Sequence, residues 1–526
     1  MRAAVYNRYW HTGGGGEAYG AGLANVLAQR ADVDLLCHQP VDTGWLSERL
    51  RVDLSGIGTR VVADRPGAVT AAAAGYDLFV NVSFMSGDLA PHPRSIYVVH
   101  FPNPPELGLS RPKKAVIRGL RALGGLPAAV EYRSGFFERD SGSRGVRWTT
   151  GEAVVRLTMP ATGAIPVTFV FGAGRPQSTR VGIETGGEVV AEVAVGGAMS
   201  RAQALRGTSA TVLLSGDGPH HECTVTLRSD TFVPAEHGSH DRRALGVPLR
   251  GVRVGTSVAA HAETWLPWLG TRGTPAPWQL SYGTLVANSE FTAAWIRRWW
   301  SADSQVLHPP VTMQPRGDKR ATILNVGRFF AAEQGHSKKQ LELVQAFRTL
   351  VDGGERGWTL HLVGGCEASG RPYLERVRQA AVGYPVELHI DASGGELAEL
   401  YASASIYWHA SGMGEDADRH PGRLEHFGMT TVEAMSAGAV PVVIGLAGQT
   451  ETVRDGVDGY HFLSAEGLVA ATRRLIADAD LRARMADSAQ ARAREFSLEA
   501  FADRLSTIVD GLPSPEGPER YGPAGP

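Results

Sequence analysis

Two carboxylates, Glu425 and Glu433, stand eight residues apart and bracket the stretch Glu-His-Phe-Gly-Met-Thr-Thr-Val-Glu. Gly428 lies inside it, and the apolar Ala434 and Met435 lead toward the strand-like run Val440–Ile444. A glycine turn that opens a helix aims backbone N–H groups and the positive end of the helix dipole at one point, which favours an anion and above all a phosphate. Carboxylates beside that point can accept hydrogen bonds from neutral hydroxyls. A diphosphate next to a polyol describes a nucleotide sugar. A second pair, Arg328 and Lys338, follows the strand-like segment Thr322–Val326 and ends at the start of a helix pattern. The guanidinium can grip an anion with two parallel hydrogen bonds while the ammonium acts as a point charge. Such a pair can neutralise the charge that grows on a departing diphosphate. Taken singly, each pair also reads as ordinary solvated surface charge; their occurrence in one segment gives the chemical reading.

These residues need elements to hold them. Residues 306–490 alternate apolar strand candidates (Thr322–Val326, Thr359–Val363, Val386–Ile390, Ile406–His409, Val440–Ile444) with helix patterns such as Lys339–Leu350 and Tyr373–Ala381. Residues 1–130 alternate in the same way, through Ala3–Tyr6, the loop Gly13–Gly16, a helix pattern with Leu23, Val26 and Leu27, then Val33–Cys37, 77–82 and 95–100. Continuous apolar strands separated by helices argue parallel sheets covered on both faces. Residues 131–258 change to period-2 alternation. Val181/Ile183, Val189/Ala191/Val193, Val212/Leu214 and Cys223/Val225/Leu227 each place apolar side chains on one face, between Gly-rich turns. This predicts an antiparallel β-sandwich inserted into the first α/β domain. That domain resumes over 259–305 with Leu285–Asn288 and the helix Glu290–Trp300. A last helix lies within 491–510, and the Pro/Gly-rich tail 511–526 reads as disordered. Two parallel sheets with facing carboxyl ends create the cleft in which α/β folds bind ligands.

At 526 residues the chain exceeds one ordinary core. Its 43% hydrophobic and 20% charged residues describe a soluble globular protein, and a net charge of −2 gives no overall pull toward nucleic acid. Three dispersed cysteines, Cys37, Cys223 and Cys366, suggest neither disulfides nor a CxxC metal site. No signal-peptide core and no run of about 18 apolar residues is visible. The expectation is a cytoplasmic protein.

Arg328 with Lys338, then Glu-x7-Glu at 425–433 followed by Ala-Met-Ser-Ala-Gly-Ala-Val-Pro, resemble the retaining glycosyltransferases of family 4, which have the GT-B fold of two facing Rossmann-like domains. Val-Ala-Asn-Ser-Glu-Phe-Thr at 286–292 and His-Pro-Pro-Val at 308–311 extend the resemblance, which covers 1–130 and roughly 259–510. It implies a retaining hexosyl transfer from a nucleotide-diphosphate sugar to a glycan, lipid-linked or small-molecule acceptor, with no metal or other cofactor required. By position it implies that Arg328 and Lys338 hold the donor diphosphate. Lys338 is preferred to Lys339 because it stands nine residues before Phe347. Glu425 would lie near the transferred sugar, lined by Phe427, Gly428, Met429 and Thr430, and Glu433 would accept from the ribose. Gly14, Gly15 and Gly16 would approach the diphosphate from the opposite domain, and His100 matches a histidine that contacts the sugar. The chain departs from the family in a longer loop between Arg328 and Lys338 and in the 131–258 insertion.

Other readings compete. The four glycines at 13–16 fit a nicotinamide fingerprint poorly, because Cys37-His38 rather than an acid ends the second strand. Asp-x-Asp triplets at 32–34, 416–418 and 478–480 read as solvated carboxylates. His220, His221, Cys223, His237 and His240 follow no standard zinc spacing. Residues 111–123 mix five cations with Val116, Ile117, Leu120 and Leu123 at helical spacing, which suits either peripheral membrane contact or an ordinary surface helix. In the insertion, Trp148 and Phe232 are candidates for glycan stacking or for core. A nucleotide-sugar epimerase, another GT-B enzyme such as a phosphorylase, and a non-catalytic carbohydrate-binding protein remain alternatives.

Overall fold

The computed structural model describes residues 1–103, 112, 115–116, 130–137, 146–159, 162–197, 200, 207–217, 222–237, 243–256, 279, 281–300, 302–331 and 337–514. The basic segment 111–123, His220, His221, His240 and the tail from 515 therefore fall wholly or almost wholly outside the described residues. By packing, the chain divides into one compact unit (1–101, 277–294 and 304–526) and a second (102–276 and 295–303).

The first unit holds two parallel sheets. In chain order, β1 (Arg2–Tyr6), β2 (Asp32–Cys37), β3 (Gly58–Val61), β4 (Leu78–Asn81) and β5 (Ser95–Val99) are joined by β14 (Thr284–Ala287) and β15 (Gln305–Val306), after the insertion. Their spatial order is β15-β14-β5-β4-β1-β2-β3, with every pair parallel. β4 and β5 are buried along their whole length, as both-face coverage requires. The second sheet contains β16 (Arg320–Val326), β17 (Thr359–Gly364), β18 (Val386–Ile390), β19 (Ala404–His409), β20 (Val440–Ile444) and β21 (Tyr460–Phe462), in the order β18-β17-β16-β19-β20-β21. Successive strands are added outward from β16 on one side and from β19 on the other, and the point where this order switches creates the crevice at strand ends where such sheets take ligands. The final helix, Leu498–Asp510, returns to the first core and inserts Phe501, Leu505, Ile508 and Val509 among Tyr19, Leu23 and Leu27. No helix among the described residues is long and apolar enough to cross a membrane.

The second unit carries β6 (Val130–Phe136), β7 (Arg147–Thr158), β8 (Thr162–Phe171), β9 (Thr179–Thr185), β10 (Glu188–Val195), β11 (Thr208–Asp217), β12 (Glu222–Ser229) and β13 (Pro248–Val254). All pairings are antiparallel. Among the described residues the strands of the insertion join in one antiparallel path, β10-β9-β12-β7-β13-β8-β11, with β6 alongside β7, in place of the two separate sheets of a sandwich. The long β7 makes this possible: its start pairs with β13 and its later residues pair with β12. The ends β10 and β11 come close together, so the sheet is nearly closed around Phe169, Phe171, Val155 and Val225. Val189 departs from the expected inward alternation: it is exposed, beside a register shift between Val189 and Ala191. Trp148 is buried and packs on the half-buried Phe232 with ring centroids 5.6 Å apart.

Candidate functional site

The turn at Gly428 is held by backbone geometry. Gly428 has φ +97°, a conformation that costs any side-chain-bearing residue. A Cβ there would meet the Gln449 side-chain nitrogen at 2.3 Å. Buried Gln449 thus closes one side of the turn, and its amide nitrogen has no hydrogen-bond partner among the described residues. The helix Met429–Ser436 starts at this turn. The first backbone bond at this end runs from Thr431 N–H to the Gly428 carbonyl at 3.0 Å, so the N–H groups of Met429 and Thr430 precede the helical ladder at the positive end of the helix.

Glu425 sits one step before the turn, in a cluster of charge. Its Oε2 accepts from Lys338 Nζ in a close ion pair, with both side chains mostly buried. His409 Nε2 lies 3.0 Å from the same oxygen. His409 ends β19 and is fully enclosed; burial pulls its pKa below the ordinary histidine value, outweighing the pull of Glu425 the other way. Lys338 is placed by close packing, because a Cβ on Gly327 would meet the Lys338 chain at 2.5 Å. The neighbouring Lys339 is committed elsewhere. Its Nζ donates to Glu415 at 3.0 Å, and Arg423 reaches the other Glu415 oxygen at 3.2 Å. Of the two lysines, Lys338 is therefore the one at the Glu425 turn.

Glu433 lies one helical turn further on and accepts from the Tyr401 hydroxyl at 2.7 Å. Burial raises its pKa to about 7, against the opposing influences of the Tyr401 hydrogen bond and the Arg51 charge. Tyr407 donates to Thr430 at 2.8 Å, which fixes the first turn of the helix from below.

The first sheet supplies the opposite wall. A Cβ on Gly15 would lie 3.8 Å from the sulfur of Met429, and one on Gly16 would lie 3.4 Å from His100 Nε2. The glycine loop therefore runs between the two halves at close range. Gly14 caps the helix Gly15–Ala28, and Glu17 reaches back to the Gly14 N–H at 2.9 Å. His100 Nε2 contacts the Val82 carbonyl at 2.9 Å. Burial lowers its pKa, so the ring is neutral, Nε2 carries the proton and Nδ1 is the acceptor nitrogen. Phe101 stacks on His426 with centroids 4.1 Å apart and planes 9° from parallel, joining the strand end after β5 to the glutamate turn.

Arg328 is not in this cluster. Its side chain is 70% exposed, 3.9 Å from Glu367, with the guanidinium over the Phe330 ring at 5.8 Å. The sequence places it one residue from Gly327, which touches Lys338, but its charged end points to solvent. Four contributors escape a reading of the sequence: His409, Tyr401, Gln449 and His426. Only His409 carries a signal, as the polar end of an apolar strand. The Asp-x-Asp triplets have local duties: Asp34 accepts from Tyr76 at 2.7 Å, Asp416 from the N–H groups of Asp418 and Arg419, and Asp478 caps the helix Ala479–Ala493.

Residues 313–492 match the family described as Glycosyl transferases group 1. No curated protein matches the chain. Among solved structures, Anabaena Alr3699/HepE in complex with UDP and glucose superposes with a TM-score of 0.50 at 12% identity, over 97% of this chain and 100% of that one. Sucrose-phosphate synthase from Thermosynechococcus elongatus superposes with a TM-score of 0.50 at 14% identity, over 97% and 98%. At such identities the likeness establishes the GT-B fold alone. The family match covers the segment that holds Lys338, Glu425 and Glu433.

Proposed function

We propose that the chain is a retaining glycosyltransferase that moves a hexosyl group from a nucleotide-diphosphate sugar to a hydroxyl of a glycan, lipid-linked or small-molecule acceptor. The observation that carries this reading is the Lys338–Glu425 pair beside the Gly428 turn, with Glu433 one helical turn away. A cation, a helix N-terminus and two carboxylates in that order suit a diphosphate flanked by a sugar and a ribose.

In this scheme the donor phosphate replaces Glu425 as the partner of Lys338. The freed carboxylate then accepts from a sugar hydroxyl, and Glu433 accepts from the ribose. Arg328, held only by its exposed contacts to Glu367 and Phe330, swings onto the diphosphate. The neutral His100 offers Nδ1 toward the sugar as an acceptor. The acceptor oxygen attacks the anomeric carbon on the face from which the diphosphate leaves. The bond from that carbon to the phosphate oxygen breaks, its electron pair goes to the diphosphate, and the acceptor proton passes to the same phosphate oxygen. Lys338 and the helix end stabilise the growing charge, so the scheme needs no metal. Closure around the donor excludes water and limits hydrolysis.

A thermal-shift panel of UDP-, GDP- and ADP-sugars, begun with UDP-glucose because the Anabaena neighbour was solved with UDP and glucose, tests this. The expected result is stabilisation by one base class, and release of that nucleoside diphosphate when an acceptor panel is added. Interconversion of the sugar nucleotide without any acceptor would replace transfer by epimerisation. No stabilisation by any donor would contradict the proposal.

A further inference from the structure

A second cluster of ligating side chains stands at the free edge of the second sheet. β17 and edge strand β18 run parallel, with His361 opposite Glu387 and Val363 opposite His389. Side chains alternate along a strand, so Glu387 and His389 share one face, and the register brings His361 to that face. The three atoms His361 Nδ1, Glu387 Oε2 and His389 Nε2 form a triangle with sides of 3.0, 3.5 and 3.8 Å. A tetrahedral ion with bonds of about 2.0–2.1 Å to nitrogen and oxygen sets its ligands roughly 3.3–3.4 Å apart. The observed sides bracket that value.

The outer contacts point the same way. His389 Nδ1 lies 2.8 Å from Glu396 Oε1. A carboxylate there fixes the proton on Nδ1 and presents the Nε2 lone pair to the triangle, as partners of metal-bound histidines do. Glu387 and Glu396 supply negative charge; Arg320 is the opposing cation nearby. Glu387 is exposed, which leaves a path for entry and a fourth position for water.

We propose that His361, Glu387 and His389 bind one divalent cation of the zinc type, clamping edge strand β18 to β17. Without the ion, His361 Nδ1 donates to His389 Nε2. On binding, that proton moves to His361 Nε2, so the ring stays neutral and its Nδ1 lone pair faces the ion. The proposal does not depend on the glycosyltransferase reading.

The test uses full-length protein freed of any affinity tag and dialysed against chelator. Zinc binding is measured by calorimetry, and coordination by the visible absorption of a cobalt-substituted sample. One ion per chain, a tetrahedral cobalt spectrum and a raised melting temperature are expected. His361→Ala and His389→Ala should each weaken binding at least tenfold, and Glu396→Gln by about tenfold or more. His237→Ala, at an exposed histidine of the second unit, should leave binding unchanged. Circular dichroism checks the fold, and Glu387→Gln, at an exposed side chain, gives an independent test if the histidine variants misfold. Failure to bind zinc, or equal binding by the His361→Ala/His389→Ala double variant, would overturn the proposal.

Discussion

The glutamate turn and the antiparallel insertion use buried polar groups in opposite ways. In the insertion, Arg175 donates to the carbonyls of Gln177, Asp230 and Gly246 and lies over the Phe232 ring at 5.0 Å. Its partners are backbone atoms fixed by the fold, so the cation is spent on structure. At the turn, Lys338 faces the carboxylate of Glu425, a side chain that can change partner. An ion pair between two side chains can exchange for a ligand, whereas a guanidinium bound to carbonyls cannot leave without breaking the fold. Burial alone does not mark a functional charge; the nature of its partner does.

The largest effects should separate the two regions cleanly. Lys338→Met or Glu425→Gln should lower kcat/KM by about 10²–10³-fold, the scale of losing one pre-organised charge. Arg175→Met should leave kcat/KM of the folded enzyme unchanged and lower its melting temperature. If Lys338→Met costs only stability, the distinction fails. Trp148→Ala should destabilise by about 3–5 kcal/mol through the cavity it leaves, with donor KM unchanged. Chemical denaturation and steady-state kinetics on the same samples measure both.

Gly428→Ala tests the turn itself. The added carbon would be strained at φ +97° and would press on Gln449. Donor affinity should fall by about tenfold or more, since displacing the helix start moves every N–H aimed at the phosphate. Titration calorimetry reads this directly.

Glu433 gives a pH signature. With a pKa of about 7, it is mainly protonated at pH 6 and mainly charged at pH 8, so donor affinity should rise across that interval. Glu433→Gln should abolish the rise. Stability runs the other way. The folded state keeps the proton up to about pH 7, while the unfolded chain releases it near 4.5. Between those values the folded state binds more protons, and stability falls as pH rises. Glu433→Gln should therefore gain melting temperature relative to wild type at pH 8 and not at pH 4.5. The smallest effect belongs to Arg328→Ala: a several-fold rise in donor KM with unchanged stability, as suits an exposed arm.

Much of the fold is legible in the chain. Val440–Ile444, a buried and continuous apolar run, has the observed bounds, and so does the half-exposed edge strand Val386–Ile390 despite its Glu387 and His389. β3 is not legible, because its residues Gly58–Val61 are mostly exposed and lack an apolar pattern. β21 is only three residues long. In the insertion, alternation reveals strand faces but not pairing order, which depends on how β7 bends between partners. At the site, glutamate spacing and the glycine mark the turn because they act locally along one segment. His409 and Tyr401 join it only through the packing of β19 and the helix Gly394–Ser403. Arg328 shows the converse limit: sequence gives a charge its position on the chain, not the direction of its side chain.

Exchange of the Lys338 partner is the central claim, and calorimetric titration with the stabilising nucleotide-diphosphate sugar tests it most directly. Wild type should bind that donor at least tenfold more tightly than Lys338→Met, with Lys339→Met close to wild type. Equal affinity of wild type and Lys338→Met would contradict the account.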